Sequence, residues 1–390
     1  MKIAFLSHLD LNLYLFRLPI MKALVEEGHT VYAVCPKGEK FDLFEAHGIQ
    51  AIHYNIQRSS LNPFKEIKSI YNIYQALKSL DLDLLHTFTA KPNIYGTIAG
   101  KIAEIPIIVN LVEGLGSFYI ENNRKSVFVR TMIERLYTLV FSMSDKVVFV
   151  NTDDPKYLEG KRVIKADKIS IIKSVGIDTS AFDPEKIDEE KISTLRDNLQ
   201  LEDKVIILMV ARAIWHKGIR EYYTAAKLLT NYENIQFILV GEIDEGNPSS
   251  ASKKFLESGD VLWLGHRDDI LLLTALSDVY VLPSYREGIP RTLLEAASMS
   301  KPIVTTDTVG CKEVVEDGKN GFLVPIKNAE VLAGKIEYLV EHPEERKIMG
   351  EHGRIMAIEE FDVHIVVKQY LKLYEELIKN KDNNAKTVDG

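Results

Sequence analysis

At 390 residues and 46% hydrophobic, the chain is too long for one core and long enough for two, so two domains are expected. A net charge of −8 argues against general nucleic-acid binding, and the two cysteines, Cys35 and Cys311, lie far apart outside any CxxC pair, which leaves zinc and redox chemistry unsupported. No apolar run approaches the roughly 18 residues of a membrane span, and MKIAFLSHLD carries no cleavable signal pattern, so a cytoplasmic protein with reduced, structural cysteines is expected.

In chain order, the β-rich runs KIAFLS, TVYAVCP, DLLHTF, PIIVNLV and KVVFV alternate with helical patterns, the signature of a parallel sheet wrapped by helices. This predicts a Rossmann-like domain over residues 1–175. After IIKSVGIDTSAFDPEKIDEEK, where Gly176, Asp178 and Pro184 break the periodicity, the pattern restarts with KVIILMVA, IQFILV, DVLWL, DVYVLP and PIVTT. A second Rossmann-like domain is predicted over 176–361, with the hinge near Gly176. Val366, Tyr370, Leu373, Tyr374 and Leu377 then form one face of a helix over 362–380, expected to pack back on the first domain, and 381–390 reads as a disordered tail.

Charge is unevenly divided. Residues 1–175 carry 22 Lys and Arg against 18 Asp and Glu, whereas 176–390 carry 26 against 38. A basic first half suits an anionic acceptor or membrane face, or is ordinary surface fluctuation. Familiar nucleotide motifs fail. GTIAGKI, Gly96–Ile102, is one residue short of a P-loop, lacks the hydroxyl after Lys101 and falls in a helical pattern, so it reads as a helix surface. SHLDLNLYLF stands where a dinucleotide-binding glycine turn would follow the first strand, which disfavours NAD chemistry.

The strongest constellation lies in LPSYREGIPRTLLEAA, where Glu287 precedes a helix and Glu295 falls inside it, with Gly288, Ile289 and Pro290 at the entry. Free N–H groups at such a helix start favour phosphate, and neighbouring carboxylates accept hydrogen bonds from ribose and sugar hydroxyls. Upstream, ARAIWHKG presents Arg212 and Lys217 across the loop after the domain's first strand, two fixed cations suited to a diphosphate without a metal. The bland alternative is a solvated acidic helix face and surface ion pairs.

Together ARAIWHKG, the Glu-x7-Glu spacing and LGHRDDI resemble the family of retaining glycosyltransferases numbered four, over nearly the whole chain. The resemblance implies the GT-B architecture, an α/β fold of two Rossmann-like doubly wound domains facing a central cleft, and a UDP-sugar donor. It implies that Arg212 and Lys217 bind the donor diphosphate, Glu295 the ribose, Glu287 with the Gly288–Ile289–Pro290 loop the donor sugar, and the segment at His266 and Arg267 the uracil. It further implies front-face substitution without metal or cofactor, in which the departing phosphate oxygen takes the acceptor proton. The same architecture also serves nucleotide-sugar 2-epimerases, and other UDP-sugars or polysaccharide acceptors fit it equally.

Many relatives carry a histidine after the strand that here ends Val112-Glu113-Gly114, so Glu113 is expected to meet donor or acceptor hydroxyls in its place, or else to cap the turn. The runs SHLDLNLYLFRLPI, RSSLNPF, TAKPNIYG, VEGLGSFY, KSVGI, ARAIWHKG and LPSYREG are similar to the branch of the family that builds the lipid-linked sugars of bacterial protein N-glycosylation. That similarity implies α-1,3 transfer of N-acetylgalactosamine from UDP-N-acetylgalactosamine to undecaprenyl-diphospho-N,N'-diacetylbacillosamine. Arg58, Lys91 and Ser117 are then candidates for the acceptor side; Arg58 and Lys91 are equally suited to structural ion pairs. A polyprenyl acceptor implies peripheral contact with the inner face of the cell membrane. Residues 124–141 interleave Arg124, Lys125, Arg130 and Arg135 with Phe128, Met132, Leu136 and Leu139, as an interfacial helix or an amphipathic helix packed on the first sheet would.

Overall fold

The computed structural model describes residues 1–56 and 63–388. The chain forms two compact units, residues 1–176 with 364–390 and residues 177–363. In the first, β1 (Lys2–Leu6), β2 (Thr30–Cys35), β3 (Gln50–His53), β4 (Leu84–Phe88), β5 (Ile107–Val112), β6 (Lys146–Phe149) and β7 (Ile169–Ile171) make one parallel sheet in the order β3-β2-β1-β4-β5-β6-β7. Ile3 pairs with Leu84 and with Val31, so β1 lies between β2 and β4, and the connection reverses direction there. Strands β1, β4 and β5 are buried almost throughout and mainly apolar, with His86, Thr87 and Asn110 as the buried polar residues, as a sheet covered on both faces requires.

The second unit repeats the plan with β8 (Val205–Val210), β9 (Ile235–Val240), β10 (Val261–Trp263), β11 (Val279–Leu282), β12 (Ile303–Thr306) and β13 (Gly321–Val324), ordered β10-β9-β8-β11-β12-β13. Each sheet therefore has a topological switch point, β1/β4 in the first and β8/β11 in the second, and ligands of open α/β sheets bind beyond the strand C-termini at such points.

Two features differ from the sequence reading. Gly96 and Gly100 are buried in the helix Ala90–Ile102, and a Cβ at Gly96 would sit 2.4 Å from the Leu6 side chain, so these glycines let the helix settle onto the sheet rather than forming its surface. The last helix runs Val363–Val388, beyond the expected end at 380, because no Gly or Pro interrupts 381–388. Its Tyr374 hydroxyl lies 2.6 Å from Nδ1 of buried His86 on β4, which ties the helix to the first unit. Both cysteines are free and buried, and burial pushes the Cys311 thiol up to about 12.

Candidate active site

In the second unit the loops after β8 and β11 meet at the switch point. Gly218, at φ +78°, allows their contact: a Cβ there would lie 2.1 Å from the Pro283 carbonyl oxygen. Tyr285 N donates to the His216 carbonyl at 2.9 Å and Glu287 N to the Val309 carbonyl at 3.0 Å, so both loops are fixed by backbone bonds. This frame puts Lys217 Nζ 2.5 Å from Glu287 Oε1, with the side chains 21% and 13% exposed. Gly288, Ile289 and Pro290 follow Glu287 directly, and Pro290 caps the helix Arg291–Ser298.

Arg212 is not brought to the same partner as Lys217. Its guanidinium donates to Asp244 Oδ2 at 2.7 Å and is largely exposed. Arg212, Glu242, Ile243, Asp244, Glu245, Trp263, Gly265 and His266 line one cavity of about 650 Å³ beyond the ends of β8, β9 and β10. Trp263 Nε1 donates to the Gly241 carbonyl at 2.8 Å, which fixes the indole. His266 lies 3.2 Å from Asp268 and 3.7 Å from Glu242, whereas Arg267 turns to Asp269 at 2.5 Å and does not line the cavity.

Glu295 lies within the helix Arg291–Ser298 and is almost fully buried. Its carboxyl is raised above the usual range by burial, partly opposed by Arg291, whose Nε sits 3.0 Å away. Arg291 thus already engages the carboxylate expected to face the ribose, a pairing the acid spacing does not reveal.

In the first unit Glu113 follows β5 and faces Arg17, with which it forms an ion pair through Nη2, and Asn12, whose Nδ2 is 3.5 Å from Oε1. It does not simply cap the turn at Gly114. Lys91 lies 3.1 and 3.0 Å from the two Glu66 oxygens, and Tyr95 donates to Glu66 at 2.6 Å, which pins the helix Ala90–Ile102 to the helix Pro63–Leu77. Ser117 is exposed in the turn Ser117–Tyr119, and Arg58 lies outside the described residues.

Two residues at the first switch point were missed. Thr89, directly after β4, has φ +74° and ψ 164°, a conformation costly for a β-branched residue, and its hydroxyl lies 2.6 Å from Nδ1 of His8, which follows β1. The only sequence signal was position, since each comes within two residues of a strand's C-terminal end.

The helix Arg124–Met143 is capped by Asn123, whose side chain accepts from Ser126 N at 2.8 Å. Tyr137, Val140 and Phe141 are buried, but Val127, Phe128, Met132 and Leu139 are exposed, Phe128 at 69%. Arg124 and Arg135 share a surface cavity of about 560 Å³ with Val127, Phe128 and Met132, while Arg130 packs over Tyr119 at 5.7 Å instead. Among the described residues no helix is long and apolar enough to cross a membrane, and no three His, Cys, Asp or Glu side chains gather as a metal site would require.

Comparison with known proteins agrees with this arrangement. The model for glycosyl transferases group 1 matches residues 191–356, and that for glycosyl transferase 4-like proteins matches residues 2–151. The chain is 40% identical, over 97% of its length and 100% of the relative's, to the N,N'-diacetylbacillosaminyl-diphospho-undecaprenol alpha-1,3-N-acetylgalactosaminyltransferase of Campylobacter jejuni. It is 26% identical, over 92% of each chain, to the UDP-Gal:alpha-D-GlcNAc-diphosphoundecaprenol alpha-1,3-galactosyltransferase of Escherichia coli. A solved structure of Anabaena HepE in complex with UDP-glucose superposes with a TM-score of 0.79 at 22% identity, covering 96% of this chain and 100% of that one. Two Rossmann-like units, two matching family models and a full-length relative at 40% identity make this chain a member of the GT-B glycosyltransferases of family four.

Proposed function

We propose that the protein transfers N-acetylgalactosamine from UDP-N-acetylgalactosamine, with retention, to undecaprenyl-diphospho-N,N'-diacetylbacillosamine, making an α-1,3 linkage. The observation that carries this reading is the 40% identity, end to end, to a transferase named for that reaction. The relative at 26% identity is named for transfer of another sugar to another undecaprenyl-linked acceptor, so the polyprenyl diphosphate is the better supported part of the substrate pair.

The geometry supports a donor site on the second unit. The cavity beside Trp263 and His266 has room for the uracil, Glu295 lies on the helix that begins after Pro290, and the first turn of that helix is the kind of N-terminus that favours phosphate. Arg212 and Lys217 would exchange Asp244 and Glu287 for diphosphate oxygens when the donor binds, before the leaving charge develops. Glu287, freed of Lys217, would then accept from the donor sugar. Cations set in place before reaction stabilise that charge without reorganising, and the leaving oxygen takes the proton of the attacking hydroxyl, so no protein base is needed.

Glu113 at the end of β5 would contact sugar hydroxyls. For a polyprenyl acceptor the exposed face of the helix Arg124–Met143 supplies a membrane-facing surface: Val127, Phe128, Met132 and Leu139 for the acyl region, Arg124 and Arg135 for anionic headgroups. The test of donor choice is UDP release with the bacillosamine-bearing acceptor and equal concentrations of UDP-N-acetylgalactosamine, UDP-galactose and UDP-N-acetylglucosamine. A several-fold preference for the first is expected; preference for either of the others refutes the donor assignment. A free N-acetylated hexosamine inverted at C2, released without acceptor, would instead identify an epimerase.

A further inference from the structure

Arg17 joins the helices Asp10–Phe16 and Leu18–Glu26, and its backbone is held at both ends: N donates to the Leu13 carbonyl at 2.8 Å, and its own carbonyl accepts from Met21 N at 3.0 Å. Its side chain is 0% exposed, an unusual place for a guanidinium. The group lies over the Phe88 ring at 4.8 Å, at the end of β4. Its one carboxylate partner is Glu113, and its Nε and Nη1 have no protein acceptor among the described residues. A buried ion pair of this kind is a poor source of stability, because the desolvation of both charges offsets most of their attraction.

The pair is also asymmetric. Arg17 Nη2 and Asn12 Nδ2 both approach Oε1 of Glu113, and Asn12 is itself oriented by the Ser7 hydroxyl, which donates to its Oδ1 at 3.2 Å. Oε2 has no protein partner among the described residues, and the Glu113 side chain is 28% exposed. One carboxylate oxygen is anchored to the protein interior and the other is left to accept from a ligand.

We propose that Arg17 is a positioning residue for the transfer reaction: from beneath the sheet end it fixes the Glu113 carboxylate so that Oε2 is presented to a sugar hydroxyl. This rests on the reading that Glu113 meets a substrate. Arg17 touches no substrate itself. Buried Phe5 and His86 pack against the same Phe88, and buried Tyr370 and Tyr374 pack against His86 in turn, so the 0% exposed guanidinium has no solvent acceptor to compete with Glu113.

The test is a double-mutant cycle on the full-length protein with Arg17→Met and Glu113→Gln, measuring kcat and KM for UDP-N-acetylgalactosamine and for undecaprenyl-diphospho-diacetylbacillosamine. Each single variant is expected to lose on the order of 10-fold or more in kcat/KM, and the double variant to lose no more than Glu113→Gln alone, because groups acting as one unit are not additive. Arg17→Lys, which keeps the cation, is expected to recover part of the loss. A purely structural Arg17 would instead give losses that multiply in the double variant, which overturns the proposal. Should Arg17→Met fail to fold, Arg17→Lys goes through the same two backgrounds, with the same expected non-additivity and the same overturning result. A Glu113→Gln protein with wild-type kinetics overturns the reading of Glu113 as a substrate contact, and this proposal with it; an impaired Glu113→Gln with multiplying losses overturns the proposal alone.

Discussion

The ammonium of Lys217 lies 2.5 Å from Oε1 of Glu287, joining the loops that follow β8 and β11. The two residues belong to different βα connections and meet only because Gly218 lets one loop pass against the Pro283 carbonyl. A cation and an acceptor carboxylate thus stand together at the switch point, where a departing diphosphate would need the first and a donor sugar the second. Lys217→Ala is expected to lower kcat by about 100-fold or more, as loss of one charge-stabilising donor does, with a smaller effect on thermal stability. Wild-type turnover in that variant would remove Lys217 from the donor site.

Arg212 is held by Asp244 in an exposed pair. Such pairs contribute up to about 1 kcal/mol, equivalent to about fivefold in affinity, and the diphosphate would have to displace this one. Asp244→Asn is therefore expected to tighten UDP binding by up to about fivefold, measured by calorimetry at low salt. Weaker binding would mean that Asp244 itself contacts the nucleotide.

Glu295 gives a pH-dependent prediction. Its folded carboxyl is raised by burial, so the folded chain holds the proton more tightly than the unfolded chain does. The stabilisation this brings is complete below the ordinary carboxyl pKa of about 4.3 and is lost as pH rises through the folded value; above both, the ionised group costs stability. Glu295→Gln should be at least as stable as wild type at pH 7, lose that advantage as pH falls toward 4, and bind UDP-sugars more weakly. Melting temperatures across pH, together with UDP affinity, separate the two effects. A less stable variant with unchanged affinity would make the Arg291–Glu295 pair purely structural.

The basic apolar face of the helix Arg124–Met143 predicts binding to anionic vesicles. Wild type should float with liposomes containing phosphatidylglycerol, and Arg124→Glu/Arg135→Glu should not, at equal melting temperature. Equal flotation of both proteins would dismiss this face as the membrane contact.

Much of the architecture was legible because buried parallel strands are continuous apolar runs; KIAFL, IIVNLV and VIILMV could hardly be anything else. The strands that escaped notice were β3, β7 and β13, an edge strand ending in exposed Gln50 and His53, a strand of three residues, and one that begins with Gly321. None of them has a long β-branched run. At the site, the spacing of Glu287 and Glu295 and the loop bearing Lys217 were visible in the sequence. The partners of Arg212 and Glu113 were not: Asp244, and Arg17 with Asn12, reach those charges through tertiary contacts between segments distant in sequence, which no local pattern encodes. Arg17 is the clearest instance, a lone cation between LYLF and LPIM that is wholly buried.

The central claim is tested most directly by incubating the purified protein in EDTA with UDP-N-acetylgalactosamine, with and without undecaprenyl-diphospho-diacetylbacillosamine, and analysing the lipid fraction. The account predicts UDP release that depends on the acceptor and a lipid-linked disaccharide with an α-1,3 linkage. Failure to form the disaccharide under conditions where the same protein binds UDP would contradict the assigned reaction.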